Sequence, residues 1–296
     1  MPSPVPPALL STLPVLRCPV CGEQLTPVER SLRCPQRHSF DVARAGYVSL
    51  LGGKGAISGD DDEMARARDR FLSGGAYAPL LAAIGELAGA SVPALSAPGA
   101  MVLDAGCGPG YYLGGLLDRF EGARGLGFDT SARSLRFAAR AHPRAAAYTG
   151  DVFAPFPVAD DSIDLLLDVF APRHPEEFAR VLRPDGALLV ARPAAEHLAE
   201  LRAAVPGMVT VDPRKEERLH EALDPLFTRV DERSVTFRLA LDADRARDLV
   251  AMTPSARHVA PEELAGLLAP SPAGTGPDRE PLAVTVSVLL SAHRPR

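Results

Sequence analysis

The chain has no tryptophan in its 296 residues and only four cysteines. The missing tryptophan accompanies a high alanine, arginine and proline content, the mark of a GC-rich coding bias, and excludes no function. The shortage of cysteine excludes more. Cys18, Cys21 and Cys34 cluster near the start and Cys107 stands alone in a glycine-rich stretch, so no disulfide framework can be assembled; this usage fits a reducing cytosol. No run of about 18 apolar residues is available to span a membrane. Met1 to Val15 is proline-rich and lacks the basic start and uninterrupted apolar core of a signal peptide, so it reads as a disordered lead. Neither sign of charge dominates: a net charge of -5 argues against a wholesale polyanion binder. Residues 1–48 are the local exception, with Arg17, Arg30, Arg33, Arg37 and Arg44 against Glu23, Glu29 and Asp41, a net of +2.

What is present begins with a metal-ligating pattern. Cys18-Pro19-Val20-Cys21-Gly22 and Cys34-Pro35-Gln36-Arg37-His38 are separated by twelve residues, Gly22 to Arg33. Two short loops that supply two ligands each describe one zinc site. The glycine after Cys21 suits a tight knuckle, and the intervening residues suffice for two short strands that return the second loop to the first. Four protein ligands leave no open position, so the zinc is expected to be structural.

Three segments follow from the pattern along the chain: a zinc-binding module at 1–50, a linker and helical stretch at 51–98, and a catalytic domain at 99–296. Gly46 to Leu51 closes the module and Gly52-Gly53-Lys54-Gly55 reads as a flexible linker. Asp60-Asp61-Asp62-Glu63 opens a helical run, where the macrodipole favours acids, and a second helix covers about Pro79 to Ala90. Strands are then expected at Ala100 to Asp104, Gly122 to Asp129, Ala145 to Gly150, Ile163 to Phe170 and Ala187 to Arg192. Helices alternate with them through Phe120, over Ser131 to His142 and over Pro175 to Leu182. That alternation predicts an α/β fold with a parallel sheet. Val230 to Leu241 and Leu282 to Ser291 alternate like strands, with helices near Asp242 to Met252 and Pro261 to Leu268. They complete the sheet with an antiparallel edge pair.

The first strand ends in Asp104-Ala105-Gly106-Cys107-Gly108-Pro109-Gly110. A dinucleotide fingerprint needs glycine at the sixth place of its loop, which is Tyr111 here, so a nicotinamide cofactor is disfavoured. Glycines at 106, 108 and 110 behind an aspartate instead resemble the first motif of class I S-adenosylmethionine (SAM) methyltransferases. SAM has a carboxylate for the N–H groups at a loop and helix start and an ammonium for Asp104. Asp129, followed by Thr130, closes the second strand where an acid can take both ribose hydroxyls. Asp151-Val152 follows the third, where an acid and a backbone N–H can read adenine. Carboxylates at strand ends are often helix caps, yet three at successive strand ends form one register.

Cys18 to Gly22, the run Cys34 to Leu51, the stretch Asp104 to Tyr112 and Val169-Phe170-Ala171-Pro172-Arg173 together resemble the RlmA-type 23S rRNA (guanine-N(1))-methyltransferases. The likeness extends to Phe71 to Tyr77, to His197-Leu198 with Leu201, and to Met252-Thr253-Pro254, and is especially close to the actinobacterial members associated with tylosin or mycinamicin resistance. It implies a Rossmann-like methyltransferase sheet behind a small zinc-binding β module. It further implies methyl transfer from SAM to ring nitrogen 1 of a guanine in a domain II hairpin loop of 23S rRNA, with the zinc module as RNA reader and a homodimer whose two modules form one cleft. Tyr111, Tyr112, Phe170 and His197 join the cofactor wall in this reading. Asp168, late in the fourth strand, becomes the carboxylate expected to take the proton from the guanine. Arg173 and Arg192 become candidates for holding the guanine or its phosphate, and Phe40 or Tyr47 for stacking on a loop base, although for Phe40 a place in the module's small core is preferred. Two other readings compete: a SAM-dependent methyltransferase of a small metabolite, and a non-catalytic RNA-binding protein that keeps the fold.

Overall fold

The structure, a computed structural model, describes residues 5–51, 59–209, 221–259, 264, 266 and 281–296. The expected linker glycines 52, 53 and 55 lie outside these residues, as does all of the helix expected near Pro261 to Leu268 except Leu264 and Gly266. In chain order the first elements are α1 (Pro7–Thr12), β1 (Thr26–Val28), β2 (Ser31–Arg33), β3 (Ser39–Asp41) and β4 (Val48–Ser49). Then come α2 (Asp62–Ser73), α3 (Ala78–Ser91), β5 (Met101–Ala105), α4 (Tyr111–Arg119), β6 (Arg124–Asp129) and α5 (Leu135–Ala138). They are followed by β7 (Ala145–Thr149), β8 (Ile163–Val169), α6 (Pro175–Val181), β9 (Leu182–Pro193) and α7 (Ala199–Ala204). The last are β10 (Phe227–Leu241), α8 (Ala243–Ala251) and β11 (Leu282–Pro295).

β1, β2 and β3 form a small antiparallel sheet, and the other eight strands form one large sheet in the order β10-β11-β9-β8-β5-β6-β7-β4. From β9 to β4 every pairing is parallel, whereas β11 is antiparallel to both of its neighbours. The parallel strands are buried on both faces, which is why β8 reads as a nearly unbroken Leu165-Leu166-Leu167 run. The chain winds from β5 outward to β7 and returns to place β8 on the other side of β5. The order therefore reverses between β5 and β8, and ligands of open α/β sheets bind beyond the carboxyl ends at such a point.

Two expectations for the N-terminal region need correction. The lead is not disordered throughout: α1 sets Leu9 and Thr12 fully out of solvent, and Arg124 donates to the Ser11 carbonyl at 3.2 Å. Proline explains the misreading, because Pro7 and its neighbours look like a breaker although proline suits the first turn of a helix. Gly46 to Leu51, expected to close the module, instead enters the large sheet. Val48 pairs with Tyr148, and the amides of Leu50 and Leu51 donate to Thr149 Oγ1 at 2.9 and 3.1 Å.

The small sheet also shares its packing with the large one. Leu16, Leu25, Leu32 and Val42 lie in the same buried layer as Phe128, Tyr148, Phe156 and Val158. Arg17 N donates to the Pro157 carbonyl at 2.8 Å and Ala159 N to the Val15 carbonyl at 2.8 Å, which stitches the approach to the first knuckle onto the loop after β7.

Candidate functional site

The strand-to-helix turn after β5 is shaped by its glycines. Gly106, Gly108 and Gly110 all have positive φ, at 75°, 52° and 82°, a region that side chains other than glycine rarely enter. A Cβ on Gly106 would stand 2.8 Å from Ala171 Cβ, and one on Gly110 would stand 3.0 Å from Ala138 Cα. Asp129 fixes the loop from the next strand: Oδ2 accepts from Gly108 N at 3.0 Å and Oδ1 from Ser131 N at 2.8 Å.

Two cavities open above this turn. The larger, about 550 Å³, is lined by Asp104, Gly106, Gly108, Tyr111, Tyr112, Phe170 and His197 among others. The smaller, about 180 Å³, takes Asp129, Thr130, Asp151 and Val152 and shares Gly106, Gly108, Val169 and Phe170 with the first. The structure thus brings together every residue expected to touch a cofactor except Gly110, which packs α4 against the residues after β6. Asp151 also closes a local turn, accepting from Phe153 N at 3.0 Å.

Charge and ring placement give this groove its character. Asp104 is 2% exposed, and its Oδ2 has no hydrogen-bond partner. Burial, and then the neighbouring charges of Asp129 and Asp168, push its carboxyl up to about 8. Phe170, at the tip of β8, sits at φ 56° and is 39% exposed. A left-handed phenylalanine is strained, and here the strain turns the ring into the shared wall. Its ring lies 5.8 Å from that of His197 and 6.3 Å from that of Tyr77. His197 is in turn held by Ser287, whose carbonyl is 3.1 Å from Nδ1.

Asp168 has a different place. It is fully buried, lines neither cavity, and has Arg173 Nε 2.7 Å from its Oδ2. On β8 it faces with Leu166 rather than with Leu165, Leu167 and Val169. The expectation that it accepts a proton beside the methyl group is therefore not carried forward, since a buried carboxylate beside a guanidinium acts as a counter-ion. Arg192, expected at the acceptor, is 2% exposed and donates to Glu232 at 3.1 Å and Ser291 at 3.4 Å.

Sequence reasoning missed Arg68. It reaches from α2 across Gly108, to which its Cδ would stand 3.3 Å from an added Cβ, and it lines both cavities. Asp60 grips its guanidinium through two bonds of 2.8 and 3.1 Å, and Ser131 Oγ donates to the Asp60 carbonyl at 2.6 Å. Nothing in the spacing of α2 singles Arg68 out from Arg66 or Arg70, because its role depends on where the helix docks.

The zinc ligands converge away from this groove. The four ligand atoms of Cys18, Cys21, Cys34 and His38 lie within 4.8 Å of one another. Cys21 Sγ and Cys34 Sγ are 3.7 Å apart, and His38 Nδ1 is 3.5 and 3.3 Å from the sulfurs of Cys18 and Cys34. Tetrahedral zinc with bonds of about 2.3 Å to sulfur and 2.0 Å to nitrogen requires separations of roughly 3.5 to 3.8 Å, so the donors fit the ion. Gly22 (φ 74°) and Arg37 (φ 66°) turn the two knuckles. Of the five arginines nearby, Arg17 and Arg30 donate to backbone carbonyls, whereas Arg33, Arg37 and Arg44 are exposed. Phe40 and Tyr47 are half-buried against apolar neighbours. Phe153, a ring 70% exposed, stands instead at the smaller cavity.

Comparison with known proteins places these two sites in one kind of chain. Residues 16–54 match the zinc-ribbon family described as RlmA, N-terminal, and residues 102–186 match a methyltransferase domain family. The chain is 43% identical to a 23S rRNA (guanine-N(1)-)-methyltransferase of Micromonospora griseorubida, over 96% of this chain and 98% of that one. It is also 43% identical to the 23S rRNA (guanine(748)-N(1))-methyltransferase of Streptomyces fradiae, over 95% and 96%. Identity to a 23S rRNA (guanine-N(1)-)-methyltransferase of Bacillus subtilis (strain 168) is 33%, over 86% and 90%.

Proposed function

The chain belongs to the 23S rRNA (guanine-N(1))-methyltransferase family, and from that premise we propose that it moves a methyl group from SAM to ring nitrogen 1 of a guanine in 23S rRNA. The observation that carries the reading is the pair of adjoining cavities at the β5/β8 switch point, which share Gly106, Gly108 and Phe170 and are lined by Asp104, Asp129 and Asp151.

Bound SAM supplies an electrophilic methyl group on a sulfonium. The protein's part is to bind, orient and exclude water. Asp104 faces the ammonium, the turn from Gly106 to Gly108 lets the backbone approach, and Asp129 takes the ribose hydroxyls with the lone pairs left after Gly108 and Ser131. Thr130, Asp151 and Val152 frame the adenine. Tyr111 and Tyr112 wall the methionine, Arg68 roofs it, and the Phe170 ring, with His197 beside it, is offered to a base taken out of its stack. Asp168 holds Arg173 in place. The zinc module, set by Cys18, Cys21, Cys34 and His38, offers Arg33, Arg37 and Arg44 to phosphates. The reading extends to a domain II hairpin loop as target and to a homodimer whose two modules form one cleft, with macrolide resistance as the cellular consequence.

Replacing Asp129 with alanine removes the ribose acceptor and also strands two amides that it now satisfies. SAM affinity, measured by calorimetry, is expected to fall by ~1–3 kcal/mol. Asparagine, which keeps one acceptor, should recover only part of that. An unchanged affinity in the alanine variant would remove Asp129 from the site.

Primer extension on 23S rRNA from cells with and without the gene tests the function itself. A methyl on ring nitrogen 1 blocks Watson–Crick pairing, so a stop is expected one nucleotide before the target in gene-bearing cells alone. Identical extension in the two samples would sink the proposal.

A further inference from the structure

Arg202 is the guanidinium of the larger cavity that, among the described residues, no acid neutralises. It lies on α7, in the connection that follows β9, is half-buried, and lines the same wall as His197. It donates to the carbonyls of His197 and Ala195, and among the described residues no carboxylate pairs with it. Arg68, across the cavity, is held by Asp60 instead.

The sheet order says what Arg202 faces. Along β6, β5, β8 and β9, neighbours stand about 4.8 Å apart. Asp129 ends β6, the glycine turn follows β5, Phe170 follows β8 and Arg202 lies beyond β9. A cofactor with its adenosine over β6 and its methionine over β5 brings its methyl to Phe170. The acceptor must then enter on the β9 side, between Phe170 and Arg202, where the Phe170 and His197 rings lie 5.8 Å apart.

We propose that Arg202 holds oxygen 6 of the acceptor guanine and stabilises the charge that appears there when ring nitrogen 1 gives up its proton. The inference rests on the methyl-transfer reading above. Ring nitrogen 1 is conjugated with the carbonyl at position 6, so loss of its proton spreads one negative charge over nitrogen and oxygen. The proton passes to water at the mouth of the cavity. The nitrogen lone pair then forms the bond to the methyl carbon, the carbon–sulfur bond breaks with its electrons remaining on sulfur, and a neutral thioether leaves. A guanidinium at the oxygen lowers the cost of the first of these steps, by the same logic that lowers the pKa of an acid beside an arginine. No carboxylate base is then required, consistent with the placement of Asp168 away from the cavity.

The test reads the ionisation directly, without turnover. A short RNA hairpin spanning the guanine mapped by primer extension is made with 6-thioguanine at that position, whose near-ultraviolet band shifts when ring nitrogen 1 ionises. It is titrated with pH, free and bound to the full-length parent, Arg202→Gln and Arg202→Lys proteins in the presence of S-adenosylhomocysteine. The parent is expected to lower the ionisation midpoint by about one unit or more, Arg202→Lys to keep part of that shift, and Arg202→Gln to lose it while still binding the hairpin. Where the glutamine variant fails to fold, the lysine variant decides, and a midpoint equal to that of the free hairpin overturns the proposal. An equal shift in the parent and the glutamine variant overturns it as well. So does a loss of hairpin affinity in both variants with no change of midpoint, which would mark a phosphate contact or a brace for the loop from Ala195 to His197. A parent protein that neither binds nor methylates the unmodified hairpin counts instead against the methyl-transfer reading.

Discussion

Replacing Asp104 with asparagine is expected to stabilise the empty protein at pH 8 and above while weakening SAM binding by about tenfold or more. In the folded chain the Asp104 carboxyl is 2% exposed and pushed up to about 8, with burial the main cause. In the unfolded chain it titrates near 3.9. The folded state therefore holds this proton more tightly, and the associated stability is fully present below about pH 4 and lost as pH rises through about 8. Between those limits the loss runs at about 1.4 kcal/mol per pH unit for one group. An asparagine is neutral throughout. The two proteins should melt at similar temperatures near pH 4, and the variant should melt higher at pH 8.5. Binding reverses the advantage. SAM brings an ammonium to a carboxyl that is protonated in the empty cavity, so binding near pH 7 should release a proton, detected by calorimetry in buffers of different ionisation enthalpy. The variant should bind weakly and release none. Parental affinity in the variant, or a lower melting temperature at pH 8.5, would show that Asp104 does not meet the cofactor as a charge.

That conflict between stability and binding was legible at the level of residue type but not of degree. The turn between β5 and α4 is legible in the alternating glycines behind Asp104, because glycine spacing encodes positive φ directly. β6, which ends in Asp129, and β7, which ends two residues before Asp151, were legible from the alternation of strand and helix. What escaped depends on contacts between distant segments. Arg68 is one of several arginines on α2 and becomes part of the site only where that helix crosses Gly108. Val48 and Ser49 form a parallel pair with Tyr148 and Thr149, about a hundred positions away, and no local pattern announces such a partner. Leu9 is buried by a helix too short to show periodicity. Asp168 was misplaced for a related reason: alternation along β8 assigns it a face, but only the packing of that face shows that the cavity lies on the other.

Replacing Cys34 with serine is expected to abolish zinc binding and rRNA methylation, lower the melting temperature, and leave SAM affinity close to that of the parent. Serine removes one of four ligands whose atoms lie within 4.8 Å of one another. Structural zinc binding is worth on the order of 10 kcal/mol in isolated modules, so a site reduced to three ligands loses much of what holds its knuckles together. Once the ion is gone, the turns at Gly22 and Arg37 are left to local backbone bonds, Gly22 N to the Cys18 carbonyl and Arg37 N to the Cys34 carbonyl, each at 2.9 Å. The damage should not stop at the module, because Leu16, Leu25, Leu32 and Val42 share a packed layer with Phe128, Phe156 and Val158; hence the lower melting temperature. It should stop before the cofactor. The glycine turn rests on Cys107, which packs with Leu135, Ala138 and Ala147 in a cluster that the module meets through Tyr47, outside the two knuckles, and Asp129 is bonded to Gly108 and Ser131. Metal analysis of the parent should give one zinc per chain, and a chelator should reproduce the variant's behaviour until zinc is restored. A variant that keeps both its zinc and its activity would remove Cys34 from the metal site. One that loses SAM binding with its zinc would show that the module is needed to fold the methyltransferase sheet, and not only to present arginines to RNA.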